Sequence, residues 1–258
     1  MPKGKMIRAA LDFFRIGKKR KGRGLDKGKG PDTTPDVTTE PKGWTHPTNP
    51  NAKLSPEANA AADQFLKNAR DTEARVTPKM DQLAKDLPAD LLGREHRLKT
   101  EDSLKEKVYR TMRDDGVDHD TALKRMNDSV RYTVQHSPDG YSDGVKKTHK
   151  LLEDSGFEAD PKQFKNKWNE NGTYQGINST WTDPKTGTQF EVQHHTEQSF
   201  WAKDAGTHHL YDEMKSIGDK SSPRYQELVQ QQKDVFNNVQ RPPGVQDLKI
   251  DQLGNRRG

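Results

Sequence analysis

Residues 174 to 196 read Tyr-Gln-Gly-Ile-Asn-Ser-Thr-Trp-Thr-Asp-Pro-Lys-Thr-Gly-Thr-Gln-Phe-Glu-Val-Gln-His-His-Thr. Two runs of alternating character flank Asp183-Pro184-Lys185-Thr186-Gly187, whose Pro and Gly suit a hairpin loop. Successive strand residues point to opposite faces. Phe190 and Val192 therefore share one face, and Glu191, Gln193 and His195 share the other. By the same count Tyr174, Gly176 and Asn178 line one face of the first run. With no side chain, Gly176 is expected to leave an open space between an aromatic ring and an amide. A hairpin that is apolar on one side, with a carboxylate, amides, an imidazole and a phenol on the other, is expected to line a cleft.

Composition bounds what surrounds the hairpin. A chain of 258 residues allows one or two domains. Hydrophobic residues make up 28% against 32% charged, too few to pack every segment into a core. The N-terminus is the segment that fails. Residues 6 to 16 fit a short amphipathic helix on Ile7, Ala10, Leu11 and Phe14, and the basic run Lys18 to Arg23 follows. That run reads as a solvated tail or as an RNA or acidic-membrane contact. Residues 22 to 50 are rich in Gly, Pro, Thr and Asp and read as a linker. The net charge of +5, with a pI near 9.1, favours anionic partners such as nucleotides or RNA. Absence of cysteine excludes disulfides, thiolate metal sites and cysteine nucleophiles. No uncharged apolar run approaches the ~18 residues of a membrane span. Arg8, Asp12 and Arg15 interrupt the only N-terminal apolar stretch, so no classical signal peptide is expected.

Between linker and hairpin the chain punctuates itself. Ser55-Pro56-Glu57 is a helix start, with Ser as cap and Pro at the first position. The helix is expected to run to Leu87 with a break at Thr77-Pro78, and a second break falls at Pro88 to Gly93. In Arg97-Leu98-Lys99-Thr100-Glu101-Asp102-Ser103-Leu104-Lys105-Glu106-Lys107, Thr100 is a cap and Leu104, Val108 and Met112 face the core. Arg97, Lys99, Ser103 and Lys107 then gather around a helix N-terminus, a suitable place for a polyphosphate. Asp118 to Met126 reads as a surface helix. His119-Asp120 resembles part of a metal-hydrolase motif whose other ligands are not found. Ser129 to Gln135 is a strand sending Val130, Tyr132 and Val134 one way and Arg131 and Thr133 the other, with Asp128 at its entrance. Residues 141 to 155 are helical, Phe164 to Trp168 a strand, 197 to 217 a helix around Phe200, Trp201, Leu210 and Met214, and 222 to 239 a last helix. The paired His194-His195 and His208-His209 suggest zinc, but strand neighbours face apart and helix neighbours diverge by about 100°, so no structural zinc is expected.

Taken in order, these pieces resemble the synthetase domain of the RelA/SpoT family, which transfers pyrophosphate from ATP to a nucleotide 3′-hydroxyl. The family's ATP signature Arg-x-Lys-x-x-x-Ser-x-x-x-Lys is matched by Arg97, Lys99, Ser103 and Lys107. Asp128 and Arg131 resemble its metal-binding Asp and following Arg, at a shorter spacing. Tyr174 to Asn178 resembles Gly-Tyr-x-Ser-Ile/Leu-His with Asn in place of His, and Glu191 to Thr196 resembles Glu-Ile-Gln-x-Arg-Thr with His195 in place of Arg. His208 or His209 falls where the family has a His on the following helix. The departures look like the family's divergent toxin branch.

The resemblance implies ATP binding by Arg97, Lys99, Ser103, Lys107 and Arg131, and acceptor binding by Tyr174, Asn178, Gln193 and His195. It implies Mg²⁺ held by Asp128 and Glu191, with Glu191 alternatively the base for the 3′-hydroxyl. The acceptor is a nucleotide or, alternatively, the 3′ end of tRNA; a catalytically inactive nucleotide- or RNA-binding module on the same fold is the non-enzymatic alternative. A synthetase without the family's hydrolase accumulates its product, which implies a toxin or effector acting in the cytoplasm, open to export, with a cognate antitoxin or immunity protein. The expected fold is α+β, a mixed sheet of about five strands flanked by helices. The expected organisation is a basic arm and linker over 1–54, a helical lead-in over 55–92, the synthetase domain over 93–240 and a flexible tail over 241–258.

Overall fold

In the computed structural model, residues 42–169, 171–217 and 219–249 are described. The chain divides after Glu40. The expected amphipathic helix over 6 to 16, the basic run Lys18 to Arg23 and the end of the tail lie outside the described residues. The second unit opens with a small hairpin, β1 (Trp44–Thr45) against β2 (Lys53–Leu54). The linker reading extended to residue 50 and missed it. Two apolar anchors hold it down, because Leu54 is buried and the Trp44 indole donates to Asp102 Oδ1 at 3.0 Å.

Helix α1 (Pro56–Asp86) starts where expected, with Ser55 Oγ accepting from Ala58 N at 3.2 Å and Pro56 in the first turn. It does not break at Thr77-Pro78. An interior proline costs about 3 kcal/mol, but Val76, Met80 and Leu83 on either side are buried, and the Thr77 and Tyr132 hydroxyls meet at 2.6 Å. Tertiary packing carries the helix through. Residues 89–92, expected as a break, form strand β3 (Ala89–Leu92). Helices α2 (Glu101–Asp115) and α3 (His119–Lys124) pack on the first half of α1, through Leu104, Val108, Ala122 and Met126.

Strand β4 (Arg131–His136), helix α4 (Tyr141–Asp154), the short strands β5 (Glu158–Ala159) and β6 (Lys165–Asn166), and the central pair β7 (Ile177–Thr182) and β8 (Gln189–His195) complete a mixed six-stranded sheet. Its order is β3-β4-β8-β7-β5, with β6 also on β7; β4 and β8 run parallel and the other pairs antiparallel. The fold is α+β, a mixed sheet flanked by helices. The hairpin alternates as its sequence dictates. Trp181, Phe190, Val192, Tyr132 and Val134 enter one core with Ala69, Val76, Met80 and Leu83 of α1 and Leu152 of α4. The hairpin loop is tied to α1, since buried Asp183 pairs with Arg75 at 2.9 Å and Thr186 meets Thr72 at 2.6 Å. Gly187 takes the left-handed conformation the turn needs, with φ 71°.

The expected single helix over 197 to 217 is interrupted. Helix α5 (Glu197–Trp201) widens into a π turn, Ala202–Gly206, before α6 (His208–Ser216). Trp201, one of the residues the helix was expected to be built around, is 54% exposed. Helix α7 (Pro223–Asn237) follows its Ser222 cap. The tail is not loose over its described part. Val245 and Leu248 are buried against Tyr141, Trp168 and Ile177, and Asn166 Nδ2 donates to the Val245 carbonyl at 2.6 Å. Two apolar residues three apart suffice to plug that gap.

Against α4, His136 stacks on His194 with Nε2 and Nδ1 3.0 Å apart and ring planes 15° apart. A Cβ on Gly144 would stand 2.3 Å from His136 Nδ1. Alanine normally stabilises a helix interior over glycine by about 0.5–1 kcal/mol, but here the ring cannot retreat into the buried pair. Gly144→Ala is expected to destabilise by about 1–3 kcal/mol in chemical denaturation.

Candidate active site

The polar face of the sheet is a grid. Thr180, Glu191 and Arg131 align in one row across β7, β8 and β4, and Asn178, Gln193 and Thr133 align in the next. Just ahead of β4, residues 97–99 run beside 129–131, because Leu98 bridges Val130 and Lys99 N donates to the Ser129 carbonyl at 2.8 Å. That pairing sets Lys99 beside Asp128. Thr100 caps α2, its hydroxyl accepting from Ser103 N at 3.3 Å, and two turns in the helix delivers Lys107. Asp128 is held from both sides, with Lys107 Nζ 2.8 Å from Oδ1 and Lys99 Nζ 3.3 Å from Oδ2.

The two carboxylates are driven apart. Burial pushes Asp128 up, but the charges of Lys99 and Lys107 outweigh it and hold its pKa below the ordinary value. Glu191 goes the other way. Burial raises it, Arg131 opposes the rise, the Asp128 charge adds to it, and Gln193 Nε2 donates to its Oε2 at 2.8 Å. One group stays ionised and the other becomes the stronger base, the pattern that divides two carboxylates into different roles. Burial also lowers Lys99, which Asp128 resists and Lys107 and Arg131 reinforce.

Not every expected residue arrives. Arg97 ends a 3-10 turn with helical dihedrals, φ −64° and ψ −26°, so it leaves the alternation that Lys99 follows. Its guanidinium turns to Glu73 of α1 and to the Arg94 carbonyl, on the flank where Thr77 meets Tyr132. Two of the three expected cations therefore converge on Asp128. Ser103 is exposed on the first turn of α2, where its hydroxyl accepts from Thr100 Oγ1 at 2.9 Å. His208 and His209 are both exposed on α6, and His208 Nδ1 lies 3.0 Å from Asp212 Oδ2.

The gap expected at Gly176 is filled. A Cβ there would meet His195 Cε1 at 2.9 Å and the Tyr174 hydroxyl at 3.1 Å. Tyr174 precedes β7, and its hydroxyl donates to Asn178 Oδ1 at 2.7 Å and meets His195 Nε2 at 2.8 Å. Its ring lies edge-on to His195 and tilted against Phe236. Asn178 is thus in contact with the phenol, where strand geometry alone placed it about two repeats away. His195 is fully buried, its Nδ1 is 2.9 Å from Ser199 Oγ, and burial and the Lys203 charge hold its pKa well below the ordinary value. It is neutral and supplies no positive charge. Tyr174→Phe leaves half-buried Asn178 Oδ1 and buried His195 Nε2 without their partner. It is expected to cost about 1–3 kcal/mol of stability in denaturant titration.

Lys203 was not legible beforehand. From the π turn its Nζ reaches Gln193 Oε1 at 2.7 Å. In sequence it is one lysine in a helix, with nothing to show that it meets the sheet. A cavity of about 130 Å³ lies elsewhere, beside His136, Gly140, Asp143 and Gly144, and contains none of these residues.

No family model and no curated protein matches this sequence. Among solved structures, the chain is similar to a GTP pyrophosphokinase family protein from Streptococcus pneumoniae, at a TM-score of 0.45 and 16% identity, covering 71% of this chain and 91% of that one. It is similar also to smu.1046c from Streptococcus mutans UA159, at 0.44 and 18%, covering 74% and 95%. At these values the likeness is a distant one of shape, and no role is read from it. Among the described residues no group of three or more His, Cys, Asp or Glu is placed to hold a metal, and no helix is long and apolar enough to cross a membrane.

Asp128 and Glu191 fit Mg²⁺ in kind, since that ion commonly takes one or two carboxylates and completes its shell with phosphate oxygens and water. Both Asp128 oxygens are engaged by lysines in this structure, so the carboxylate would exchange one of those partners to hold the ion.

Proposed function

We propose that this chain transfers pyrophosphate from ATP to the 3′-hydroxyl of a nucleotide acceptor. The observation that carries the reading is the divided pair of carboxylates, Asp128 ionised between Lys99 and Lys107 and Glu191 raised beside Arg131. Phosphoryl-group transfer asks for neutralised phosphates and a positioned hydroxyl, and little else from the protein. Lys99, Lys107 and Arg131 bind and orient the triphosphate. Asp128 would hold Mg²⁺, which supplies charge neutralisation when bound, leaving Glu191 free to act as base. Glu191 takes the proton of the 3′-hydroxyl as that oxygen bonds to the β-phosphorus of ATP; the bond from the β-phosphorus to the bridging α-oxygen breaks, and AMP leaves. Exclusion of water around Glu191 strengthens both its basicity and its hold on the hydroxyl.

Incubation with γ-labelled ATP and separate pools of nucleotides and tRNA tests this. Label is expected in the nucleotide pool, with AMP formed in equal amount. Label in tRNA alone would move the acceptor to RNA, and label in inorganic phosphate alone would sink the reading.

A further inference from the structure

We propose that Lys203 is the cation that receives the acceptor's phosphate, one sugar's breadth from the Glu191 carboxylate. The proposal rests on the transfer reading for the name of the acceptor, and on the following geometry for the residue. Lys203 Nζ donates to Gln193 Oε1 and Gln193 Nε2 donates to Glu191 Oε2, so one planar amide separates the ammonium from the carboxylate. A nucleotide carries its 3′-hydroxyl and 5′-phosphate on opposite sides of the ribose ring. With the hydroxyl at Glu191, the phosphate falls towards the other end of that amide.

The remaining charges leave this place to Lys203. Lys99 and Lys107 stand at Asp128, where the transfer reading gives them to the triphosphate, Arg131 faces Glu191 across the sheet, and His195 is buried and neutral with both ring nitrogens engaged. The π turn supplies a second line of support. Widened turns give up regular helix bonding and recur at functional sites. Here Thr207 Oγ1 takes up the Ala202 carbonyl at 2.9 Å, and Gly206 fits so closely that a Cβ would stand 3.1 Å from Val235 of α7. Lys203 reaches Gln193 from inside that turn. Its present partners, the Gln193 amide and the Phe200 ring 5.5 Å away, carry no net charge to balance a desolvated ammonium. Burial and then Arg131 of β4 lower its pKa to about 8, against Glu191 of β8 and Asp204 of its own turn. A phosphate would supply the missing countercharge.

The test compares, on the full chain by calorimetry, GDP with guanosine and ADP with adenosine. Wild type is expected to prefer the diphosphates. Lys203→Gln, which keeps a hydrogen-bonding end without charge, is expected to cut that preference about ten- to a hundred-fold and to leave nucleoside binding unchanged. The wild-type preference falls as pH rises through about 8, when Lys203 loses its proton. Lys203→Arg keeps the charge and should flatten that fall. Equal weakening of nucleosides and diphosphates by Lys203→Gln, or an unchanged pH profile in Lys203→Arg, would overturn the assignment. Transfer is read separately. A lysine-dependent phosphate preference without any transfer sinks the transfer reading and upholds Lys203, and transfer without that preference does the reverse.

Discussion

Glu191→Gln is expected to lower pyrophosphate transfer by about 10²–10⁴-fold, which corresponds to roughly 3–5 kcal/mol of barrier. Gln keeps the shape and can still bond to the Gln193 amide, but it accepts no proton. Nucleotide binding, which the proposed reading gives to Lys99, Lys107 and Arg131, is expected to stay measurable. Stability moves the opposite way. The folded pKa of Glu191 is raised by burial, so folding disfavours its charged form. Its contribution is most favourable below the unfolded pKa and is lost as pH rises towards the folded one. The neutral Gln escapes that loss, and the mutant is expected to be at least as stable as wild type near neutral pH. The same shift moves the acid limb of the transfer rate upward from the ordinary glutamate value, with activity rising as Glu191 loses its proton. A mutant retaining more than about a tenth of wild-type turnover would remove Glu191 from the role of base.

The alternation of β7 and β8 was readable, and with it the two faces of the sheet, because a period of two is a local property of extended chain. The caps at Ser55, Thr100 and Ser222 were readable for the same reason, each being a bond within four residues. Long-range contacts were not. Pro78 announces a break that Tyr132, Met80 and Leu83 override, and Arg97 occupies a signature position yet leaves for Glu73. Gly176 showed where a side chain is missing without showing what fills the space, which is His195 and the Tyr174 hydroxyl. Lys203 reaches Gln193 from a π turn that no local pattern announces. The clamp on Asp128 was half legible: its lysines stood out by type and spacing, but which of the three cations would reach it depended on one residue's dihedrals.

Trp181→Ala is expected to destabilise the protein by about 3–5 kcal/mol and to leave the turnover of the molecules that remain folded nearly unchanged. Trp181 is 1% exposed; its ring stacks on Phe190, its partner across the hairpin, and packs 4.6 Å from the His149 ring, while its indole donates to Ser179 Oγ at 3.0 Å. Truncation removes the largest side chain of the main core and leaves a void that strands and helices cannot close together. Trp181→Phe keeps an aromatic ring on Phe190 and is expected to cost about half as much or less. The measurement is a denaturant midpoint at constant slope, read beside turnover normalised to folded protein. Thr180 and Glu191 lie on the opposite face from Trp181 and Phe190, and a strand transmits no side-chain contact through its own plane. A stability loss under about 1 kcal/mol would mean that the core tolerates the void. A turnover loss as large as that of Glu191→Gln would mean that the two faces are not independent, and that the polar grid depends on the packing beneath it.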